Sequence, residues 1–369
     1  MLDLFFSKPK LIQAINITTK AVPTRTSLPI LECLLLEAKN GVITLMANDM
    51  EMAICTETGG TIVEEGKVAL DAKLFSDIVR KLPEDEIHLK ADRNMQVEIT
   101  SGKANFKMSG KNGEDFVGMP SMEKGTPVVI SQLTLKNIIE ETIFSISANE
   151  NNKMMTGELF EIKNNTLRVA ALDGHRIAIR YCVLNDYYEN KSVIVPGKTL
   201  SDISRIVAGD VAKTVDIYLG KNHILFSFEG TTVMSRLIDG EYFRIDQMIT
   251  DNHETKLTFN RKELLDCIER SVILVRESDK KPLILDIKDG GVTLSLTSII
   301  GSMKEELYAE KTGKDLLIGF NPRFLIDALR AIDDEKINLY LSNSRAPGFI
   351  RDDEGTYIYL ILPVNFVSR

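Results

Sequence analysis

The sequence predicts an α+β fold in which one folding unit of about 125 residues occurs three times along 369 residues. A helical motif, a turn motif and an alternating apolar run each recur at nearly the same offset. We expect two helices and antiparallel sheets in each unit, in the order helix, strands, helix, strands. A chain of this length exceeds what one ordinary hydrophobic core supports, which agrees with three domains.

The clearest repeat is a helical motif that starts at Asp71, Pro196 and Asn321. Its third residue is always basic, its seventh is Asp and its tenth is Arg. These positions are Lys73, Asp77 and Arg80, then Lys198, Asp202 and Arg205, then Arg323, Asp327 and Arg330. The third copy begins with Asn and Pro, a typical helix start, because Asn caps the first turn and proline fits the first helical position.

Shorter signals recur with a similar offset. Three amphipathic helices begin near Leu11, Ile138 and Leu264, and the apolar stripes of the first and third also include Thr18 and Ser271. Polar turns at 39–41, 163–165 and 288–290 each precede an alternating apolar run, which predicts strands. Turn-rich segments near 120–127 and 249–255 predict domains at 1–126, 127–252 and 253–369.

Composition narrows the class of protein without giving its function. No run approaches the roughly 20 apolar residues that span a bilayer, and the N-terminus lacks a signal-peptide pattern. The four cysteines are scattered without metal-ligand spacing, so we expect no disulfide framework, no metal, no cofactor and a cytoplasmic location. The net charge of −8 argues only weakly against nucleic acid, because it does not describe how charge is distributed.

The best catalytic candidate is the run Asp173, Gly174, His175 and Arg176. A hydrolase would need His175 beside a nucleophile and oriented by a carboxylate. The corresponding positions of the other two units carry no histidine, and a turn that uses the backbone freedom of Gly174 explains the same residues. The lysine- and glycine-containing stretch at 102–111 lacks the order of a phosphate-binding loop. We therefore predict no enzyme activity and keep a His175 hydrolase as an alternative.

The basic, Asp and Arg positions of the helical motif share one helical face, since they are spaced i, i+4 and i+7. A solvated face with internal Lys–Asp pairs is one explanation. Three such faces on neighbouring units would instead form a positive strip that binds a polyanion through its phosphates. Tryptophan is absent and aromatic residues make up 7%, which favours duplex over single-stranded nucleic acid.

With these repeats in view, the chain closely resembles the bacterial DNA polymerase III beta subunit family, the sliding clamps. The most specific matching segments are 25–31, 173–176, 321–324 and 362–364. The resemblance implies a DNA-clamp fold that closes as a head-to-tail homodimeric ring around duplex DNA and confers processivity without catalysis. Implied partners are the DNA polymerase III alpha subunit, an ATP-driven clamp loader, other polymerases and repair proteins, bound through short hydrophobic motifs. A three-repeat, protein-only adaptor remains the alternative.

The resemblance also implies site residues. Arg25 and Asn149 match duplex-contacting positions, to which the repeat adds Lys73, Lys198 and Arg205. The implied partner-peptide pocket comprises Met155, Leu172, Gly174, His175, Arg176, Ile177, Met248, Phe324, Leu362, Pro363 and Val364. The implied dimer interface joins Ile78, Leu82 and Phe106 to Ile273 and Leu274. Phe243 and Gln247 stand where proline and arginine are expected at the pocket rim, and residues 365–369 extend the expected C-terminus.

Overall fold

The computed structural model describes residues 1–275 and 281–366. Six α-helices lie in this part of the chain, two in each repeat. Their bounds are α1 Lys8–Thr18, α2 Ala72–Lys81, α3 Gln132–Thr142, α4 Gly197–Ile206, α5 Arg261–Val272 and α6 Pro322–Ala331. Both predicted helices of each repeat are confirmed. None of these helices has the length and apolar character needed to cross a bilayer.

The strands follow the helices in the predicted alternation. In the first repeat they are β1 Leu2–Ser7, β2 Cys33–Lys39, β3 Val42–Asn48, β4 Met52–Thr58, β5 Gly60–Glu64, β6 Gly66–Asp71, β7 Glu86–Ala91, β8 Gln96–Ser101, β9 Ala104–Ser109 and β10 Lys111–Asn112. In the second they are β11 Val128–Ser131, β12 Gly157–Leu172, β13 Arg176–Pro196, β14 Thr214–Leu219, β15 His223–Phe228 and β16 Thr231–Arg236. In the third they are β17 Thr255–Asn260, β18 Leu283–Lys288, β19 Gly291–Thr297, β20 Ser302–Leu307, β21 Glu310–Gly313, β22 Leu316–Phe320, β23 Lys336–Leu341, β24 Gly348–Arg351 and β25 Tyr357–Ile361.

Local sequence explains where the motif helices begin. The side chain of Asp71 accepts a hydrogen bond from the Leu74 N–H at 2.8 Å, and Asn321 accepts one from the Arg323 N–H at 3.1 Å. These side chains satisfy backbone donors that have no partner within the first turn of a helix. The predicted start of α6 at Asn321 and Pro322 is therefore confirmed.

Thr18 and Ser271 are completely buried although they are polar. The Thr18 hydroxyl donates to the Ala14 carbonyl at 2.9 Å, and the Ser271 hydroxyl donates to the Ile268 carbonyl at 2.6 Å. A hydroxyl that bonds back to its own helix carries no unsatisfied donor into the core. This explains why an apolar stripe tolerates these two residues.

Two of the predicted polar turns join neighbouring antiparallel strands. Lys39 pairs with Val42 at the β2–β3 turn, and Lys288 pairs with Gly291 at the β18–β19 turn. The segment 163–165 lies within β12, where the pairing with β13 shifts register and Asn164 has φ of 56°. The second repeat therefore differs from the other two in the extent of its strands.

One compact unit of the chain comprises residues 1–132 and 205–237. It contains a five-stranded sheet in the order β5-β1-β7-β8-β9 and a nine-stranded sheet in the order β10-β6-β2-β3-β4-β16-β15-β14-β11. The nine-stranded sheet is continuous across two repeats, because β4 of the first pairs antiparallel with β16 of the second. This pairing explains why the unit includes part of the second repeat.

The other compact unit comprises residues 133–204 and 238–369, of which 276–280 and 367–369 are not described. Its sheets have the orders β12-β13-β25-β24-β23-β17-β21 and β20-β19-β18-β22. Here β13 of the second repeat pairs antiparallel with β25 of the third. All sheets of both units are antiparallel, as predicted. The exact domain bounds at 126/127 and 252/253 stay a prediction.

Candidate partner-binding pocket and nucleic-acid interface

One aspartate side chain organises the turn between β12 and β13. Asp173 Oδ1 accepts hydrogen bonds from the backbone N–H of His175 at 2.9 Å and of Arg176 at 3.2 Å. Gly174 has φ of +88°, a left-handed conformation that residues with a Cβ rarely adopt, and no atom lies within 4 Å of where a Cβ would be. The backbone angle, rather than a lack of space, therefore favours glycine here.

Arg176 follows this turn, and its side chain is buried. Its Nε donates to Asp173 Oδ2 at 2.9 Å, Nη1 donates to Asp327 Oδ2 at 2.6 Å, and Nη2 donates to the Phe144 carbonyl at 2.5 Å. The guanidinium carbon also lies 4.3 Å from the centre of the Phe324 ring. Burial alone would lower the pKa of Arg176, but Asp327 and Asp173 raise it overall, so the side chain stays charged.

Because its donors are engaged in this way, Arg176 holds the pocket wall together. Its hydrogen bonds to Asp173, Asp327 and the Phe144 carbonyl direct the guanidinium into the protein. His175 is exposed beside it, with its ring stacked at 6.2 Å from that of Phe324, and is better placed to meet a ligand.

The C-terminal segment runs beside the turn. The Leu362 N–H donates to the His175 carbonyl at 2.9 Å, and the Val364 N–H donates to the Gly319 carbonyl at 2.8 Å. The ring of Phe366 lies against Gly319, where a Cβ would be only 2.8 Å from Phe366 Cδ1. Residues 362–366 thus lie between the β12–β13 turn and β22. Residues 367–369 of the predicted extension lie outside the described residues.

Apolar side chains on both sides of the β12–β13 turn form an apolar wall. Leu172 and Ile177 are each 4% exposed, in a core cluster against which Met155 and Phe243 pack. Phe243, which replaces the expected proline, therefore contributes an apolar ring to this region. Met248 is 50% exposed, and Leu362 is 39% exposed. These exposed apolar side chains suit an apolar ligand.

The structure brings several of the predicted pocket residues together and adds others. Direct contacts join His175, Arg176, Phe324 and Leu362, and the apolar cluster contains Leu172, Ile177 and Met155. Pro363 and Val364 are half-buried in the adjoining segment, whereas Met248 and Gln247 are exposed.

Sequence reasoning missed Asp327, Phe144 and Tyr359 as supports of this site. The Tyr359 hydroxyl donates to the Phe324 carbonyl at 2.8 Å, and the Tyr359 ring is 5.7 Å from that of Phe144. Asp327 was visible as a repeated acidic position, but only the fold shows that its partner is Arg176 and not a basic residue of its own helix.

The geometry also argues against a hydrolase. Both carboxylate oxygens of Asp173 accept hydrogen bonds from backbone N–H groups or from Arg176, so this carboxylate does not orient the His175 ring. Burial raises the pKa of the Cys55 thiol to about 11 and of the Cys267 thiol to about 12, which disfavours the nucleophilic thiolate. In the described part of the chain, no group of three or more His, Cys, Asp or Glu side chains could hold a metal ion.

Three family models match consecutive segments of the chain. They are the N-terminal domain of the DNA polymerase III beta subunit over residues 2–120, its central domain over residues 129–243 and its C-terminal domain over residues 246–365. The beta sliding clamp of Staphylococcus epidermidis is 33% identical over 375 residues, and that of Staphylococcus aureus is 34% identical over 377 residues. Each alignment covers 99% of both chains.

The chain belongs to the DNA polymerase III beta subunit family. The crystal structure of the Bacillus subtilis sliding clamp has a TM-score of 0.95 at 28% identity and covers 99% of this chain and 100% of its own. A structure from Eubacterium rectale, provisionally described there as a DNA polymerase III beta subunit, has a TM-score of 0.95 at 55% identity with the same coverage. The predicted clamp fold is confirmed, and members of this family are processivity factors without catalytic activity.

The five predicted DNA-facing residues of this family member, Arg25, Lys73, Asn149, Lys198 and Arg205, are all exposed. Asn149 Oδ1 accepts the Asn151 N–H at 3.0 Å in a local turn. Exposure is necessary for contact with DNA but does not test it, so their role stays a prediction.

The basic stripe is less uniform than the sequence suggests. Arg80 donates to Asn16 at 2.6 Å on the first helix of its repeat, and Arg330 binds Glu269 at 2.7 Å on the corresponding helix of the third repeat. The arginine of the motif therefore ties the two helices of its repeat together in these two cases. The Glu269 carboxylate also offsets the charge of Arg330, which makes the positive strip weaker at that point.

The predicted dimer residues differ in exposure. Phe106 is 38% exposed on the edge strand β9, and Ile273 is 76% exposed just after α5. Leu274 is half-buried. Ile78 and Leu82 are only 7% and 2% exposed within a single chain, so they have little surface left to bury against a partner. Their role at an interface stays a prediction.

Proposed function

We propose that this chain acts as a sliding clamp: two copies close head to tail around duplex DNA and tether DNA polymerase III to it. A polymerase held on a closed ring rebinds the template at a high effective concentration, which makes synthesis processive. The proposal includes a clamp loader that opens the ring, and a cytoplasmic location beside the chromosome. The observation that carries it is the way consecutive repeats join.

The two junctions between consecutive repeats pair strands at equivalent positions of the repeats. A turn hydrogen bond identifies equivalent positions in the three repeats: Asp49 N–H to the Met52 carbonyl, Asp173 N–H to the Arg176 carbonyl, and Ser298 N–H to the Gly301 carbonyl. The strand after this turn is β4, the start of β13, or β20. In the first two repeats it pairs with the last strand of the following repeat, β16 or β25.

The third repeat is the last of the three that the sequence contains. In the described residues, β20 is an edge of its four-stranded sheet, and β9, the first-repeat equivalent of β16, is an edge of its five-stranded sheet. Unpaired edges readily add a strand from another chain. Pairing of β20 with β9 of a second copy would repeat the internal junction, and two copies would satisfy both edges head to tail.

The repeat also predicts the register of that contact. The central pairs of the internal junctions are Ile54 with Val233 and Ala178 with Tyr359, and all four residues are 0% exposed. The equivalent residues at the outer edges are Met303, opposite the buried Leu296, and Phe106, opposite the buried Ile99. We infer that Met303 of one copy faces Phe106 of the other on the core side of a continuous sheet.

Within the ring, the exposed residues Arg25, Lys73, Lys198 and Arg205 would face the duplex, with Asn149 beside them. Contacts through phosphates carry no sequence information and are weak when few in number. Such contacts suit a clamp that must slide, because retention comes from ring closure and not from affinity.

Partner motifs would bind the pocket around His175, Phe324 and Leu362. Its exposed apolar side chains accept short hydrophobic peptides, and the ion pair of Arg176 with Asp327 keeps its wall in place. The polymerase alpha subunit, the clamp loader, other polymerases and repair proteins are the partners that this pocket would serve in turn.

Retention on DNA separates this proposal from a protein-only adaptor. After loading, the protein should stay on nicked circular DNA in high salt and be lost when the same DNA is linearised. If high salt removes the protein equally from circular and linear DNA, the binding is only electrostatic. No retention on either form, together with intact binding of partner peptides, would favour the adaptor.

A further inference from the structure

A cavity of about 440 Å³ lies in the unit formed by residues 133–204 and 238–369, and none of its lining residues belongs to the predicted partner pocket. Its walls come from α3, β13, the connection from α6 to β23, and the turn between β24 and β25. The lining residues are Asn137, Glu141, Arg180, Ile332, Asp333, Asp334, Lys336, Asn338, Arg351, Asp352, Asp353, Glu354 and Tyr357. The cavity thus connects elements of the second and third repeats.

Six carboxylates and three cationic side chains line this cavity, so its net charge is negative. Each of the three cations already has a carboxylate partner. Arg180 pairs with Glu141 at 2.9 Å and with Asp352 at 3.2 Å, and Arg351 pairs with Asp251, which is not a lining residue. Lys336 lies 3.6 Å from Glu310, also outside the cavity.

Carboxylates of the two connecting segments remain to attract a cation. Asp333, Asp334 and Glu354 are exposed, and no hydrogen bond or ion pair of their carboxylates occurs within the described residues. Their charges therefore add to the negative potential at the cavity mouth.

A second, independent feature is the hydroxyl of Tyr357. Its side chain is 3% exposed, and the hydroxyl makes no hydrogen bond with any described residue. A buried hydroxyl without a partner is costly, so native proteins rarely keep one unless a ligand or another group uses it. Because Tyr357 lines the cavity, this oxygen can accept a hydrogen bond from a ligand there.

We propose that this cavity binds an aliphatic diamine or polyamine, whose ammonium groups meet the carboxylates and the Tyr357 hydroxyl. A single metal ion fits less well, because no three acidic side chains of the described residues converge on one point. Charges spread along a flexible chain match carboxylates that are spread over several segments, while Ile332 offers an apolar contact for methylene groups. An ammonium ion donates several hydrogen bonds, as these acceptors require.

The environment of Glu141 supports the same ligand. The pKa of its carboxyl is raised to about 7, chiefly by burial, which Arg180 opposes and Asp333, Asp334 and Asp352 reinforce. A nearby ammonium group would favour the charged carboxylate, so binding at neutral pH should release protons.

Calorimetric titration of the full-length protein with spermidine at physiological salt tests the proposal. The double variant Asp333→Asn/Asp334→Asn should weaken binding at least about tenfold, which corresponds to the loss of one good charged contact. Glu335→Gln is the matched control, because Glu335 lies in the same acidic run but does not line the cavity. It should bind as the wild type does.

Tyr357→Phe gives a second, separate readout. It should weaken spermidine binding without lowering the thermal midpoint of the free protein, because it removes a hydroxyl that has no partner among the described residues. The proposal is overturned if the wild type does not bind, if Glu335→Gln loses as much affinity as the double variant, or if Tyr357→Phe binds normally. Displacement of spermidine by stoichiometric Mg²⁺ alone would identify a metal site instead.

Discussion

Replacing Phe106 by aspartate should dissociate the ring. Phe106 is 38% exposed on β9, and in the proposed junction this remaining surface is buried against Met303 of a second copy. Loss of that apolar contact costs about 1 kcal/mol, taken as the exposed part of a fully buried phenylalanine. A carboxylate placed without a partner on the core side of this junction adds at least ~2 kcal/mol.

The symmetry of a head-to-tail dimer doubles this effect, because each ring contains two copies of the junction. About 3 kcal/mol per junction becomes roughly 6 kcal/mol per dimer, which raises the dissociation constant roughly ten-thousand-fold. Sedimentation velocity over a range of protein concentrations measures this shift directly. The circular DNA in the retention assay should then release the variant at low salt.

Val63→Asp is the matched control. Val63 is 61% exposed on β5, the opposite edge strand of the same five-stranded sheet, and the proposed ring leaves that edge free. The reasoning is refuted if Phe106→Asp remains a dimer at the concentrations where the wild type does. It is equally refuted if Val63→Asp dissociates as far, since the effect would then not depend on β9.

Three further changes test the interior and the pocket. Burial raises the pKa of the Glu158 carboxyl to about 8 from its ordinary 4.5. The folded state therefore holds the proton more tightly, and stability is lost as pH rises between these values, by up to roughly 5 kcal/mol. In Glu158→Gln, the free energy of unfolding from denaturant titrations should therefore differ less between pH 6 and pH 9 than in the wild type. A difference as large as that of the wild type would contradict this. Arg176→Lys should destabilise its unit by roughly 3 kcal/mol, because one ammonium cannot replace three guanidinium hydrogen bonds. Thermal unfolding measures this loss, and an unaltered midpoint would count against it. Gly319→Ala should displace Phe366 and weaken the binding of a partner peptide severalfold, as measured by fluorescence anisotropy. Phe366→Ala should give a similar loss. Normal binding by both variants would show that the tail does not shape the pocket.

The helices and two of the three repeated turns were predictable because their signals are local. Asp71 and Asn321 cap helices through atoms only two or three residues away, and Gly174 meets a requirement of its own backbone angle. A periodic sequence displays such features wherever they recur, so a single offset located all six helices. These parts of the fold needed no knowledge of which strands would meet.

The contacts between distant strands were not predictable in the same way. The pairing of Ile54 with Val233 joins residues of two repeats, and nothing in either strand identifies its partner. Asp327 shows the same limit for the site, because its spacing from Arg323 suggested an ion pair within the helix. The fold brings Arg176 within 2.6 Å of it, and a guanidinium with two further acceptors holds that carboxylate.

The repeat also explains why we propose one pocket of this kind for each chain. The turn hydrogen bond places Met52, Arg176 and Gly301 at equivalent positions of the three repeats. Only Arg176 can donate hydrogen bonds to an aspartate and form a cation–π contact, because Met52 and Gly301 have no cationic side chain. The pocket wall therefore requires a residue found in the second repeat alone, and a ring of two chains would offer two such pockets, enough to hold two partners at the same time.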